Sequence, residues 1–226
     1  MIATAALSIA LLGGTVPPGM VTIPAGSYTP LYAGDAKATV VHVSSFVLDR
    51  LPVTRGAFTA FTRSHPEWRS AAGIDVDGRH PVVDVSWRAA KAYCEASGKR
   101  LPSTAEWERV ASVDSGEVLA QYATRNAATL TAVGKSRPNA LGVANLHDLI
   151  WEWTLDFDGA PTTHSEHAHG SASHSPPAHV SCASAAIGAS NTTNYAAFLR
   201  AAVRATLTPT TTLRTLGFRC AASISG

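Results

Sequence analysis

The chain has 226 residues, 46% hydrophobic and only 15% charged, which suits one domain with a sizeable core and excludes a disordered protein. Lys and Arg (18) nearly balance Asp and Glu (16), so neither a basic nucleic-acid face nor a polybasic membrane surface is expected. The absence of G-x-x-x-x-G-K-[ST], G-x-G-x-x-G, H-E-x-x-H and G-x-S-x-G removes the P-loop, dinucleotide, zinc-protease and serine-hydrolase readings.

Met1 to Gly14 carries no charge, and its apolar run Ile2 to Leu12 is too short to cross a bilayer. The run matches the hydrophobic part of a secretory signal but lacks a basic start; the alternative is a buried N-terminal strand or helix. Residues 1–19 are therefore expected to be leader and linker, and residues 20–226 one domain.

Val21 to Tyr28 reads as a strand broken by Pro24, and Val40 to Leu48 as a second, β-branched strand. Thr54 is an expected N-cap for a helix with Ala57, Phe58 and Phe61 on one face, stopped by Pro66. Pro81 to Val85 reads as a short strand. Ser86 caps a helix from Trp87 to Ser97, with Trp87, Ala90 and Cys94 on one side and Gly98 as its C′ residue.

Ser103 and Glu106 form the S-x-x-E capping box of a third helix ending near Ser112. Gly116 to Leu141 is irregular. Ile150 to Thr154 reads as a strand, Asp156 to Val180 as a loop, and Phe198 to Thr206 and Gly217 to Ala222 as late strands. Helices early, short strands late and long connections predict an α+β, loop-rich chain. Cys94, Cys182 and Cys220 form no C-x-x-C pair, and an odd count allows at most one bridge and one spare thiol.

Several segments taken together resemble one family. They are MVTIPAGSY (Met20 to Tyr28), LDRLPVT (Leu48 to Thr54), PVVDVSWRAAKAYCEASGKRLPSTAEWERV (Pro81 to Val110), NLHDLIWEWTLD (Asn145 to Asp156) and LGFRC (Leu216 to Cys220). In this order they resemble the formylglycine-generating enzyme, or sulfatase-modifying factor, family. The resemblance implies a variant of the C-type lectin fold. Its members include copper oxidases that turn a sulfatase cysteine into formylglycine, iron-dependent sulfoxide synthases, siderophore-maturation proteins and accessory proteins of copper nitrite reductases. Ser181 to Arg204 is most similar to the last group.

The family's oxidases are implied to hold copper(I) with two cysteines five positions apart, soft thiolates being its preferred ligands. Aligning Arg200 and Arg204 with the family's R-x-x-x-R places Asn191 and Ala196 at those positions, so oxidase chemistry is not expected. Cys182 is left as the one weak candidate for a reactive or metal-binding thiol. Cys94 and Cys220 stand where the family implies a structural disulfide.

For calcium, the family implies an Asn side chain, two backbone carbonyls and a Glu side chain, here Asn145, Asp148, Ile150 and Glu152; the alternative is a Glu152 that only accepts hydrogen bonds. His164, His167, His169, His174 and His179 form a dense stretch that can bind copper or zinc, or is filler. Arg100, Glu106, Glu108 and Arg219 are expected to be paired charges, and Trp87, Trp107, Trp151 and Trp153 core or cleft wall.

The function these readings favour is an exported, periplasmic or secreted, monomeric accessory or maturation factor for a copper redox enzyme of denitrification such as nitrite reductase. Calcium and copper are its expected cofactors. A metal-dependent oxidase of the formylglycine-generating or nonheme-iron type and a calcium-dependent lectin-like module are the alternatives.

Overall fold

The computed structural model describes residues 16–29, 40–72, 77–114, 118–124, 130–158 and 192–224. In chain order its elements are β1 (Met20–Ile23), β2 (Gly26–Tyr28), β3 (Val41–Val43), β4 (Phe46–Asp49), α1 (Arg55–Ser64), a 3-10 turn (Pro66–Ala72), α2 (Trp87–Ala96), α3 (Thr104–Ala111), α4 (Val118–Thr124), β5 (Trp151–Glu152), α5 (Thr192–Ala205), β6 (Leu216–Gly217) and β7 (Ala221–Ser223). The strands are short and the connections long, as the loop-rich α+β expectation required.

Three small sheets organise these elements. The first has the order β1-β4-β7, antiparallel throughout, with Ile23 opposite Phe46 and Leu48 opposite Ala221. The second is the antiparallel β2-β3 pair, and the third the parallel β5-β6 pair, in which Glu152 lies opposite Gly217. The single strand expected over Val40 to Leu48 is two strands in different sheets. Phe46, Val47 and Leu48 are buried in succession, the pattern of a central strand covered on both faces.

The helix starts follow local chemistry. The side chains of Thr54 and Ser86 accept from the N–H groups of Ala57 and Ala89, and Ser103 with Glu106 completes a reciprocal capping box. Gly98 has φ +67°, as a C′ residue needs. Pro81 to Val85 makes a bridge between Pro81 and Thr54 rather than a strand. α4 lies within the stretch read as irregular.

One element is of the other type. Phe198 to Thr206, read as a strand, belongs to helix α5. Its apolar residues recur at helical spacing: Ala196 and Leu199 meet Val118 and Tyr122 of α4, Val203 follows at the next turn, and Leu207 lies just past the helix end. The alanines between them favour the helix.

Two larger hydrophobic cores form among the described residues, beside two smaller clusters. One gathers Phe58, Val82, Ala90, Leu101, Trp153 and Phe218; the other joins Ile23, Phe46 and Leu48 to Trp107, Val110 and Leu146. A disulfide between Cys94 of α2 and Cys220, Cα atoms 5.6 Å apart and 126 residues apart in sequence, ties the helical half to the last strand. Gly217 is held where a Cβ would lie 2.2 Å from the Val82 carbonyl oxygen, so β6 docks only as glycine. Among the described residues, no helix is long and apolar enough to cross a membrane.

Candidate functional site

The polar centre forms where α3, α5 and β5 meet. The capping box aims α3 so that Trp107 and Glu108 face α5, and the four-residue spacing of Arg200 and Arg204 puts both on the helix face that meets them. Arg200 donates to Glu108 through Nε and Nη2, at 2.9 and 2.6 Å, and Arg204 through Nη1 at 2.6 Å. Both guanidinium groups lie over the Trp107 ring, 5.5 and 5.3 Å from its centroid.

Burial pushes the Glu108 carboxyl upward, but the two guanidinium groups outweigh it and hold it at about 2. Burial, which favours the neutral form, is outweighed at Arg200 too: Glu108 keeps that guanidinium charged. Tyr28 of β2 is pushed up to about 12, first by burial and then by the Glu108 charge.

Beneath this lies a second ion pair with no exposed side chain. Arg219 donates to Glu152 through Nε and Nη2, both at 2.8 Å, and the Trp107 indole N–H donates to the same carboxylate at 2.9 Å. The rest of the Arg219 fork goes to backbone carbonyls of Asp49 and Arg50 at 3.2 Å and of Ala144 and Asn145 at 3.1 Å. Arg219 thus pins four backbone carbonyls and one carboxylate from a fully buried position. Asn145 adopts φ +54° to present its carbonyl, a left-handed conformation that Asn tolerates.

This arrangement bears on calcium. Of the four expected ligands, Glu152 is neutralised by Arg219, and the Asn145 side-chain oxygen accepts from the Gly134 N–H at 2.6 Å. The Asn145 amide donates to the Ser136 hydroxyl and the Asp148 carboxylate, and Asp148 also accepts from Ser136. The guanidinium of Arg219 bridges the Asn145 carbonyl and the Glu152 carboxylate, so in this arrangement an arginine already balances the charge of the expected Glu ligand. No cluster of three or more His, Cys, Asp or Glu able to hold a metal occurs among the described residues.

The charges expected to pair do so: Arg100 with Glu106 at 2.6 Å, Glu108 with both arginines of α5, and Arg219 with Glu152. Trp153 is fully buried and donates to the Val85 carbonyl, while Trp87 donates to the Thr154 carbonyl. Trp107 and Trp151 form two walls of a small cleft with Arg200, Arg204, Leu207 and Leu216; its volume of about 10 Å³ admits about one water. Cys182, Asn191, His164, His167, His169, His174 and His179 lie outside the described residues.

Sequence reasoning did not find the groups behind the cleft. His147 is 3% exposed and lies between Asp114 (Nε2 to Oδ2, 2.9 Å) and Tyr122 (Nδ1 to Oη, 3.1 Å), whose oxygen accepts from Arg200 at 3.0 Å. The signal was a histidine among the apolar residues Val143, Ala144, Leu146, Leu149 and Ile150.

The loop-rich α+β arrangement of short sheets is that of the sulfatase-modifying-factor fold. Residues 13–224 match the profile described as "Sulfatase-modifying factor enzyme 1-like domain", and the chain belongs to that family. The formylglycine-generating enzyme of Thermomonospora curvata is 26% identical over 90% of this chain and 93% of its own length. That of Streptomyces coelicolor is 34% identical over 68% of this chain, which spans only 57% of that enzyme. The solved structure of PvdO from Pseudomonas aeruginosa matches 91% of this chain and 94% of its own, with a TM-score of 0.56 at 20% identity, a likeness of fold.

Proposed function

We propose that this chain is an exported, non-oxidase member of the family that acts as an accessory or maturation factor for a redox enzyme, with a copper enzyme such as nitrite reductase as its partner class. The observation that carries the non-oxidase reading is the thiol count. Of three cysteines, Cys94 and Cys220 are bonded to each other, which leaves Cys182. A two-thiolate copper(I) site needs one more. Ala196, aligned with one of the family's copper cysteines, is instead an aliphatic contact of α5 on Val118 and Tyr122.

Export is supported by the disulfide, which persists in oxidising compartments, and by the apolar run Ile2 to Leu12. The resemblance of Ser181 to Arg204 to nitrite-reductase-associated members supports the partner class. Copper held by the histidine stretch belongs to the same proposal, and metal analysis of the purified protein tests it.

Two experiments test the reading. Incubation with copper, oxygen and a Cys-x-Pro-x-Arg peptide leaves the peptide mass unchanged; conversion of its cysteine to formylglycine overturns the non-oxidase claim. Copper nitrite reductase produced in cells with and without this chain should differ in copper content and activity, and identical enzyme from both overturns the accessory claim.

A further inference from the structure

Cations and carboxylates nearly balance over the whole chain, so composition predicts no basic face. The fold distributes them unevenly. Three loops meet: Arg50 and Leu51 after β4, Asp77 to His80, and Val133 to Arg137. The Val133 N–H donates to the Arg79 carbonyl at 3.0 Å. Gly134 lies against Leu51, whose nearer methyl would be 3.6 Å from a Cβ placed on that glycine. These loops carry Arg50, Arg79, Lys135 and Arg137, all exposed.

Among the described residues, two carboxylates stand beside them. Asp77 pairs with Arg79 at 2.7 Å. Asp148 accepts from Ser136 and from the buried Asn145. Arg50, Lys135 and Arg137 have no carboxylate partner among the described residues. The four cations exceed the two carboxylates by as much as the net charge of the whole chain, +2. Unpaired like charges repel one another and add nothing to the stability of the fold, so the fold does not account for them.

The backbone beneath the cations is fixed. The Gly134 N–H donates to the Asn145 side-chain oxygen at 2.6 Å. Arg219 bonds the Asn145 carbonyl at 3.1 Å and the Arg50 carbonyl at 3.2 Å. One buried guanidinium thereby holds two of the three loops in place before anything binds, which lowers the ordering cost of association. None of the exposed large hydrophobic residues belongs to these loops. Four cations without an apolar anchor fall short of stable membrane attachment. The loops also carry no Phe, Tyr or Trp on which a nucleic-acid base would stack.

We propose that Arg50, Arg79, Lys135 and Arg137 form a preordered cationic surface that docks an acidic face of a protein partner. The inference deepens the accessory reading and rests on it only for the existence of such a partner. Charge of this kind steers encounter and sets orientation, and salt weakens it.

The test measures binding of fluorescein-labelled poly-L-glutamate to the full chain by fluorescence anisotropy at several salt concentrations. Binding should weaken as salt rises. Reversal of Arg50, Lys135 and Arg137 to Glu should raise Kd at least about tenfold, the low end of what a focused field contributes to association. Reversal of Arg63, Arg88 and Arg214, exposed on α1, on α2 and before β6, changes net charge equally and should leave most of the affinity. Lys135→Gln alone should weaken binding and make its salt dependence shallower, a readout that stands even where the triple variant misfolds. No binding by the unaltered chain, equal losses from the two reversals, or unchanged binding in Lys135→Gln overturns the proposal. Tighter binding, through the same residues, to phosphatidylserine vesicles or to a DNA duplex also overturns it, in favour of a lipid or nucleic-acid surface. Failure of the accessory reading is seen separately, in copper nitrite reductase that is identical with and without the chain.

Discussion

Glu108 is the residue on which the polar centre balances. It is one carboxylate shared by two guanidinium groups, with side chains only 8 to 12% exposed across the three residues. Its carboxyl is held from 4.5 down to about 2 in the folded protein, so it binds protons more weakly there than in the unfolded chain. The stabilisation is therefore complete above the unfolded value and fades as pH falls toward the folded one. At neutral pH it is on the order of 3 kcal/mol. Melting temperature should fall between about pH 5 and pH 2, and Glu108→Gln should flatten that part of the profile while lowering stability at pH 7. Calorimetry across the range checks both; a profile unchanged by the substitution would show that the pair contributes nothing.

Helix α3 carries both Trp107 and Glu108, so its aim decides the site. It is only eight residues long and leans on its cap: the Ser103 hydroxyl accepts from the Glu106 N–H at 3.1 Å, and the Glu106 carboxylate accepts from the Ser103 N–H at 2.8 Å. Arg100 clamps the same carboxylate with two bonds of 2.6 Å. Ser103→Ala should cost about 1 kcal/mol in chemical denaturation. Glu106→Ala should cost more, since it also leaves the half-buried Arg100 without its partner. Equal costs would place the stabilisation in the cap alone.

Two features act across the whole molecule. The Cys94–Cys220 bridge encloses more than half of the chain and contributes about 4–5 kcal/mol in the chain-entropy account. Thiol titration of the denatured, unreduced protein should find one free thiol, Cys182; three would remove the bridge and the export argument together. Arg219 draws the loops of both cores onto Glu152 and supplies the positive charge that a calcium ion would bring. Chelator is accordingly expected to leave the melting curve unchanged. A calcium-dependent gain of roughly 5–10 °C, the effect of binding at about 100 times Kd on a domain of this size, would restore the calcium reading.

The elements built from local chemistry were legible in the sequence by itself. Thr54, Ser86 and Ser103 each precede an apolar helical pattern, and a cap is satisfied within three residues. The family was legible too, because five segments, among them the Pro81 to Val110 block, W-E-W and G-F-R-C, stand together in the family's order. Phe198 to Thr206 was not, since a short apolar run fits both periods until Val118 and Tyr122 supply the face it packs on. The pairings across the chain were decided only by tertiary structure. Arg200 finds Glu108 from 92 residues away and Arg219 finds Glu152 from 67 away. A charge in a sequence shows that burial needs a partner, but which partner depends on the loops that packing brings together. Asp114, Tyr122 and His147 meet for the same reason: each is ordinary in its own segment, and only the docking of α3, α4 and the loop before β5 lines them up.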